Sequence, residues 1–111
     1  MTIVPGTKLE LIARPEVAVS GSLDARAFVI IGQRAEALDF DVQIDESGTA
    51  WIEAVMGQDL TLPHGATSLW LAVARQGAMP DEAAVAQRSQ GSLLAAGPGY
   101  ILLGRRVKVK E

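Results

Sequence analysis

The sequence predicts an all-β domain, either an antiparallel sandwich or a small barrel of about seven or eight strands. Several short runs alternate apolar and polar residues with a period of two, which is typical of strands with one buried face and one wetted face. Turn residues recur roughly every 8–12 positions, and the chain contains eleven glycines. With 111 residues, of which 49% are hydrophobic, one domain can bury a core without disulfides or metals.

Between residues 8 and 37, the sequence predicts two strands and leaves the segment between them open. Residues 8–13 alternate, and Pro15 follows them, which ends the strand or places it at an edge. Residues 17–25 fit a short strand or a loop, and both alternatives stay open. Residues 26–32 are rich in β-branched residues and end at a glycine, so we expect a strand covered on both faces. Residues 33–37 are predicted to be a polar connection.

The central part of the chain predicts three strands. Residues 38–44 alternate strictly, residues 45–48 have the composition of a turn, and residues 49–56 form the second strand. Residues 68–75 form the third. Trp51 and Trp70 lie in the second and third of these strands. We expect both indoles to pack in the core, and a sugar-stacking platform is the alternative.

The C-terminal part is less regular. Residues 80–88 combine a proline, two acidic residues and several alanines, which favours a helix. The next stretch, residues 91–99, looks like the return of a hairpin, so a strand over residues 80–90 is the preferred interpretation and a helix the alternative. Residues 100–104 are the last apolar run of a single domain that spans residues 1–104.

The charge is unevenly distributed along the chain. The last seven residues carry four basic residues and one acid (+3), and the other 104 carry six basic and twelve acidic residues (−6), which gives the net charge of −3. An acidic body is a poor nucleic-acid platform. Because the last seven residues are basic and alternate with valines, residues 105–111 are predicted to be a basic C-terminal strand or arm. Its candidate partner contacts are Arg105, Arg106, Lys108 and Lys110. The arm either guards a sheet edge or docks on an acidic partner, including another copy of the protein.

The sequence offers little catalytic or metal-binding chemistry. His64 is the only histidine and lies between a proline and a glycine in a predicted loop, and there is no cysteine. The densest acidic cluster is Asp39, Asp41, Asp45 and Glu46, but its spacing matches no calcium loop and its residues suit a strand face and a turn. We therefore expect no catalytic site, cofactor or metal. No apolar run is long enough for a membrane helix, and the N-terminus lacks the pattern of a signal peptide, so we expect neither.

One succession of motifs resembles a known family. The alternating strand and turn of residues 38–55 are followed by a corner, a strand with a central aromatic residue and a late return rich in glycine. The residues that carry the later motifs are Asp59, Leu60, Thr61, Leu62 and Gly65 for the corner, Trp70 for the aromatic, and Gly91, Leu93, Ala95, Gly97, Pro98 and Gly99 for the return. Together they resemble the N-terminal domain of phage baseplate upper proteins.

The resemblance implies an immunoglobulin-like β-sandwich that is part of a phage tail or a related virion assembly. It carries over no catalytic residue. We therefore expect a phage structural protein of the tail, baseplate, neck or capsid that is made in the host cytoplasm. It would act in the virion as a homo-oligomer that contacts other virion proteins. A carbohydrate- or peptide-binding module that uses Trp51 or Trp70 is the alternative.

Overall fold

The computed structural model describes residues 2–14 and 23–110. In this part of the chain there are ten strands and one helix, and seven of the strands are four residues or longer. The elements are β1 (Thr2–Ile3), β2 (Lys8–Ala13), β3 (Leu23–Ile31), β4 (Arg34–Ala37), β5 (Gln43–Ile44), β6 (Ala50–Val55), β7 (Ala66–Arg75), α1 (Glu82–Arg88), β8 (Leu94–Gly97), β9 (Tyr100–Arg106) and β10 (Lys108–Val109). Of the open alternative at residues 17–25, residues 23–25 belong to β3, and residues 17–22 lie outside the described residues.

The strands form one large and two small sheets. The large sheet has five strands in the order β4-β3-β7-β9-β8, and every neighbouring pair is antiparallel. A second sheet has the order β2-β6-β5 and is also antiparallel. The short strands β1 and β10 pair in parallel. The predicted all-β class with antiparallel sheets is therefore confirmed.

The main core lies between the five-stranded and three-stranded sheets. The alternation of β2 and β6 is confirmed, because Leu9 and Leu11 of β2 and Ile52 of β6 are buried in one cluster with Val29 of β3 and Leu71 of β7. Each of these residues contributes the apolar area that drives two sheets together. The wetted faces of β2 and β6 then point away from the five-stranded sheet.

A second core lies on the opposite face of the five-stranded sheet. Phe28, Trp70 and Leu102 point to this side and pack with Val85 of the helix. The predicted burial of Trp70 is confirmed, since its side chain is 1% exposed. Its indole N–H donates to the Ser68 hydroxyl at 2.7 Å, so the buried donor is satisfied. The prediction of a strand covered on both faces is confirmed for residues 27–30 of β3, while Arg26 is exposed.

Trp70 requires a glycine opposite it. Gly104 of β9 is its register partner, and a Cβ added at Gly104 would lie 2.5 Å from Trp70 Cε2. The ring therefore occupies the space that a side chain at position 104 would need.

The predicted strand over residues 80–90 is wrong, because residues 82–88 form the helix α1. Asp81 caps it, since its carboxylate accepts from the Ala84 N–H at 2.8 Å. Glu82 lies in the first turn and Arg88 in the last, where each charge complements the helix dipole. The expected return of residues 91–99 onto that strand is wrong as well: β8 lies within this stretch, but it forms its hairpin with β9, around Pro98 and Gly99. Gly99 has a φ of 76°, which suits the second central position of a turn whose first central residue is a proline, here Pro98.

Two further predictions are corrected between β3 and β6. Residues 33–37 are not a polar connection, because β4 forms a hairpin with β3. Residues 38–44 are not one strand, because only Gln43 and Ile44 pair with β6. The side chains still alternate as predicted, with Phe40 and Val42 against the core and the intervening acidic residues exposed. Residues 38–42 connect the two sheets, and we call them the bridging segment.

Candidate functional site

A hollow lies beside β6, on the side that faces the bridging segment. It has a volume of about 310 Å³, which is at the lower end of the range for small ligand sites. We call it the β6 groove. Its lining residues are Lys8, Phe40, Asp41, Gln43, Trp51, Glu53, Ala54, Val55 and Asp59. A larger, more polar hollow of about 480 Å³ lies along the same segment and includes Arg26 and Asp39.

Trp51 lies at this groove and not in the core, so the prediction of core packing is wrong for this residue. In β6 the buried side chains are those of Ala50, Ile52 and Ala54, and Trp51 points the other way and is half-buried. Its register partner on β2 is Ile12, which is 49% exposed. Trp51 and Trp70 also belong to different sheets. A period of two separates the faces of a strand, but it does not say which face meets the core when both faces carry large apolar residues.

The groove exists because the ladder between β5 and β6 is short. The paired residues are Gln43 with Trp51 and Ile44 with Ala50. Two residues further, a continued ladder would place Asp41 opposite Glu53. Like charges directly opposite each other destabilise an antiparallel pair, so this sequence disfavours further pairing. The bridging segment diverges at this point and leaves one side of β6 open.

Lys8 balances part of the negative charge at the groove. Its ammonium lies 3.0 Å from a Glu53 carboxylate oxygen and 3.3 Å from one of Glu10. Glu10 and Glu53 are register partners on β2 and β6, so the lysine offsets the repulsion of a second acidic pair. The hydrogen bond to Glu53, followed by that to Glu10, raises the pKa of Lys8. Asp41 and Asp59 complete the charged lining, so the groove carries three carboxylates and one ammonium.

The turn that joins β5 and β6 is closed by Asp45, as its composition predicts. The Asp45 carboxylate accepts from the Ser47 hydroxyl at 2.7 Å, from the Ser47 N–H at 2.9 Å and from the Thr49 N–H at 3.1 Å. The Ser47 hydroxyl bond contributes most to lowering the pKa of Asp45. These bonds occupy the carboxylate within the turn.

The remaining sequence candidates do not converge on a reactive centre. Asp39 and Asp41 are exposed on the bridging segment, and His64 is exposed in the turn before β7. Within residues 2–14 and 23–110, no group of three or more histidine, aspartate or glutamate residues is placed to hold a metal ion. In the same ranges, no helix has the length and apolarity that a membrane crossing requires.

The four basic residues of the tail lie on the surface of their own domain. Arg105 and Arg106 end β9, and Lys108 is in β10, while Val107 between them is buried. The Arg105 guanidinium donates to the Glu10 carbonyl at 3.3 Å, and the Lys110 N–H donates to the Ile3 carbonyl at 2.7 Å. The tail alternates as predicted, with valines inward and cations outward. Whether these cations contact a partner stays a prediction.

An apolar surface at the edge of the five-stranded sheet was not singled out by the sequence. Leu94 of β8 is 66% exposed, and Ile101 of β9 is 37% exposed. Exposed Ala96 is the register partner of Ile101, and alternation places Leu94 on the same face. We call these three residues the apolar edge. The available signal was the uncharged run from Leu93 to Gly99 in a hairpin, but its place at a sheet edge depends on non-local pairing.

Comparison of the chain with family models, curated proteins and solved structures finds no match.

Proposed function

We propose that the protein is a structural β-domain that acts through protein–protein contacts and self-associates through its apolar edge. The observation that carries this proposal is the exposure of Leu94 on an edge strand without any charge. Edge strands with exposed apolar residues are sites of pairing with other chains unless charges or covers protect them.

A second copy of the protein is the partner that suits this edge. Leu93 directs its carbonyl to the Gly104 N–H of β9, so alternation turns the backbone of Leu94 and Ala96 away from β9. The Ser92 hydroxyl donates to the Leu94 carbonyl and accepts from the Leu94 N–H. The backbone groups of Ala96 are therefore the ones that can pair with another strand. Two copies of an uncharged strand can meet across a twofold axis without like-charge repulsion.

The proposed setting is a phage tail or a related virion assembly, in which the domain would serve as an immunoglobulin-like sandwich. The resemblance of about residues 36–99 to the N-terminal domain of baseplate upper proteins supports this setting. The exposed cations Arg106, Lys108 and Lys110 would then contact acidic neighbours among the other virion proteins.

Light scattering coupled to size exclusion, across a hundredfold dilution, tests self-association. We expect an oligomer for the wild-type protein and a monomer for Leu94→Lys, because a charge at the centre of a buried contact weakens it strongly. Ile12→Lys is the matched control, since Ile12 is also an exposed large apolar residue but lies on the other sheet. A wild-type monomer at every concentration, or equal dissociation by both variants, would contradict the proposal.

A peptide- or carbohydrate-binding module is the second candidate, and the position of Trp51 at the β6 groove favours it. Acrylamide quenching of tryptophan fluorescence measures the accessibility of each indole. We expect a quenchable fraction that disappears in Trp51→Phe and a protected fraction from Trp70. Two fully protected indoles in the wild-type protein would rule out a stacking platform.

A further inference from the structure

We propose that the β6 groove receives an extended segment of a partner polypeptide and binds a lysine or arginine side chain of that segment. This inference rests on the second candidate function and specifies its ligand class. The segment would lie between β6 and the bridging segment, in the place where the β5–β6 ladder stops.

The open part of β6 offers backbone groups to such a segment. The Met56 N–H donates to Thr7 at 2.8 Å on the β2 side, while the Val55 N–H donates to the Asp59 carboxylate at 2.9 Å on the other side. Because backbone groups alternate along a strand, the N–H and C=O of Glu53 face the groove, as those of Val55 do.

The groove is closed at both ends and open at its centre. At one end, Gln43 pairs with Trp51. At the other end, the Val55 carbonyl accepts from the Asp59 N–H at 2.9 Å and the Val55 N–H is held by the Asp59 side chain. Glu53 lies between these ends. A short extended peptide whose backbone pairs with Glu53 would extend the three-stranded sheet at this position.

The charges favour a cation at this step. A peptide residue opposite Glu53 would take the place that Asp41 has in a continued ladder, so its side chain would lie among the carboxylates of Asp41, Glu53 and Asp59. Lys8 already bridges Glu53 and Glu10, and this contact illustrates how a lysine relieves repulsion between paired acids on this sheet. One further cation would leave a net charge of −1 in a lining that now holds three carboxylates and one ammonium.

The aromatic residues complete the recognition surface. Trp51 and Phe40 both line the groove, and an indole face attracts a lysine or arginine cation as well as its apolar stem. An extended peptide that carries a cation therefore matches the open backbone, the charge and the aromatic lining together. A neutral sugar would match only the aromatic lining.

Peptide titration of the full chain, followed by tryptophan fluorescence and by amide chemical shifts, tests this inference. The probe is the capped pentapeptide Thr-Val-Lys-Val-Thr, whose alternation favours an extended conformation. We expect saturable binding, with shifts concentrated at residues 40–43 and 51–55. The same peptide with a central glutamate should not bind, and higher salt should weaken the lysine peptide.

Two variants separate the groove from the rest of the surface. Asp41→Asn should weaken binding of the lysine peptide by about fivefold, which is the upper range for an exposed ion pair. Asp39→Asn is the matched control, because Asp39 is exposed on the same segment but does not line the groove. Circular dichroism and a thermal melt check that both variants are folded.

Several outcomes would overturn the inference. These are equal binding of the lysine and glutamate peptides, equal effects of the two aspartate variants, and shifts that avoid residues 40–43 and 51–55. Absence of binding at millimolar peptide would also overturn it. If Trp51 is quenchable in the same sample, then the ligand class is wrong although the exposed platform stands. Leu94→Lys should bind the peptide as the wild type does, so failure of self-association is distinguished from failure at the groove.

Discussion

The two edges of the five-stranded sheet differ in how they are protected. At β4, Arg34 and Glu36 form an ion pair with 3.1 Å between Nη2 and Oε1, and the Ala37 N–H donates to the Glu82 carboxylate of the helix at 2.7 Å. At β8 there is no charge, and Leu94 is largely exposed. Charges and a covering helix oppose the addition of a strand. The β4 edge is therefore closed by the protein itself, and the β8 edge is suited to another molecule.

The difference also shows that exposure alone does not define a contact surface. Arg34 of β4 and Leu94 of β8 are both well exposed. Burial of a charged edge costs hydration free energy, whereas burial of an apolar edge is favourable. The comparison predicts that changes at the two edges have opposite effects on association.

The largest expected effect comes from the support beneath the β8 edge. In Gly104→Ala, the new methyl group would meet the Trp70 ring, and overpacking of this kind costs about 1–3 kcal/mol in the free energy of unfolding. Urea unfolding measures the loss, and near-ultraviolet circular dichroism reports displacement of the indole. The comparison predicts loss of association as well, because β8 is held to the sheet through β9.

The control for this prediction is a double-mutant cycle. Trp70→Leu removes the ring that the methyl group would meet, so Gly104→Ala should cost much less in that background. Equal costs in both backgrounds would mean that the indole is not the reason for glycine at position 104.

A smaller effect is expected at the protected edge. Glu82→Ala removes the acceptor of the Ala37 N–H, and we expect a loss of about 1 kcal/mol in the free energy of unfolding, measured by urea titration. The comparison further predicts stronger association, since the β4 edge then has an open donor. Gln87→Ala, at an exposed position of the same helix, is the control. Unchanged association in Glu82→Ala would show that the carboxylate does not protect the edge.

The smallest effect is expected at the turn of the three-stranded sheet, where Asp45 holds the β5 edge to β6. The pKa of Asp45 is lowered from 3.8 in the folded protein. Its carboxylate therefore stabilises the fold above pH 3.8, and this contribution is lost as the pH falls through the folded pKa. The stability difference between wild type and Asp45→Asn should be constant above about pH 5 and should shrink in acid.

Urea unfolding between pH 6 and pH 2 measures that difference, with Asp39→Asn as the control. Association should not change in Asp45→Asn, because the turn belongs to the three-stranded sheet and not to either edge of the five-stranded sheet. A stability difference that grows as the pH falls would contradict the assigned hydrogen bonds.

Local pattern predicted the strands with one dry and one wetted face. Alternation placed Leu9 and Leu11 inward, and the turn residues located the ends of β6 and β7. The pattern of residues 38–44 was also correct for side-chain direction. It could not predict that pairing with β6 stops at Gln43. Pairing of Asp41 depends on the residue that would lie opposite it, which is Glu53, twelve positions later in the sequence.

The candidate sites were less predictable for the same reason. The face on which Trp51 lies depends on which side of β6 meets the large sheet, and the exposure of Leu94 depends on the strand order of that sheet. The helix was mispredicted although Asp81, Glu82 and Arg88 provided the correct local signals, because the neighbouring hairpin was given more weight. For the basic tail, the sequence correctly predicted the alternation of exposed cations and inward valines, and contact with a partner stays a prediction.

The parallel pairing of β1 with β10 has a consequence for the order of folding. Thr2 pairs with Lys108 and Ile3 with Val109, so these contacts close nearly the whole described chain into one loop. Closing so long a loop is entropically unfavourable until the intervening strands have condensed. We therefore expect this pair to be absent from the folding transition state, so that truncation of Ile3 to alanine speeds unfolding and leaves the folding rate nearly unchanged.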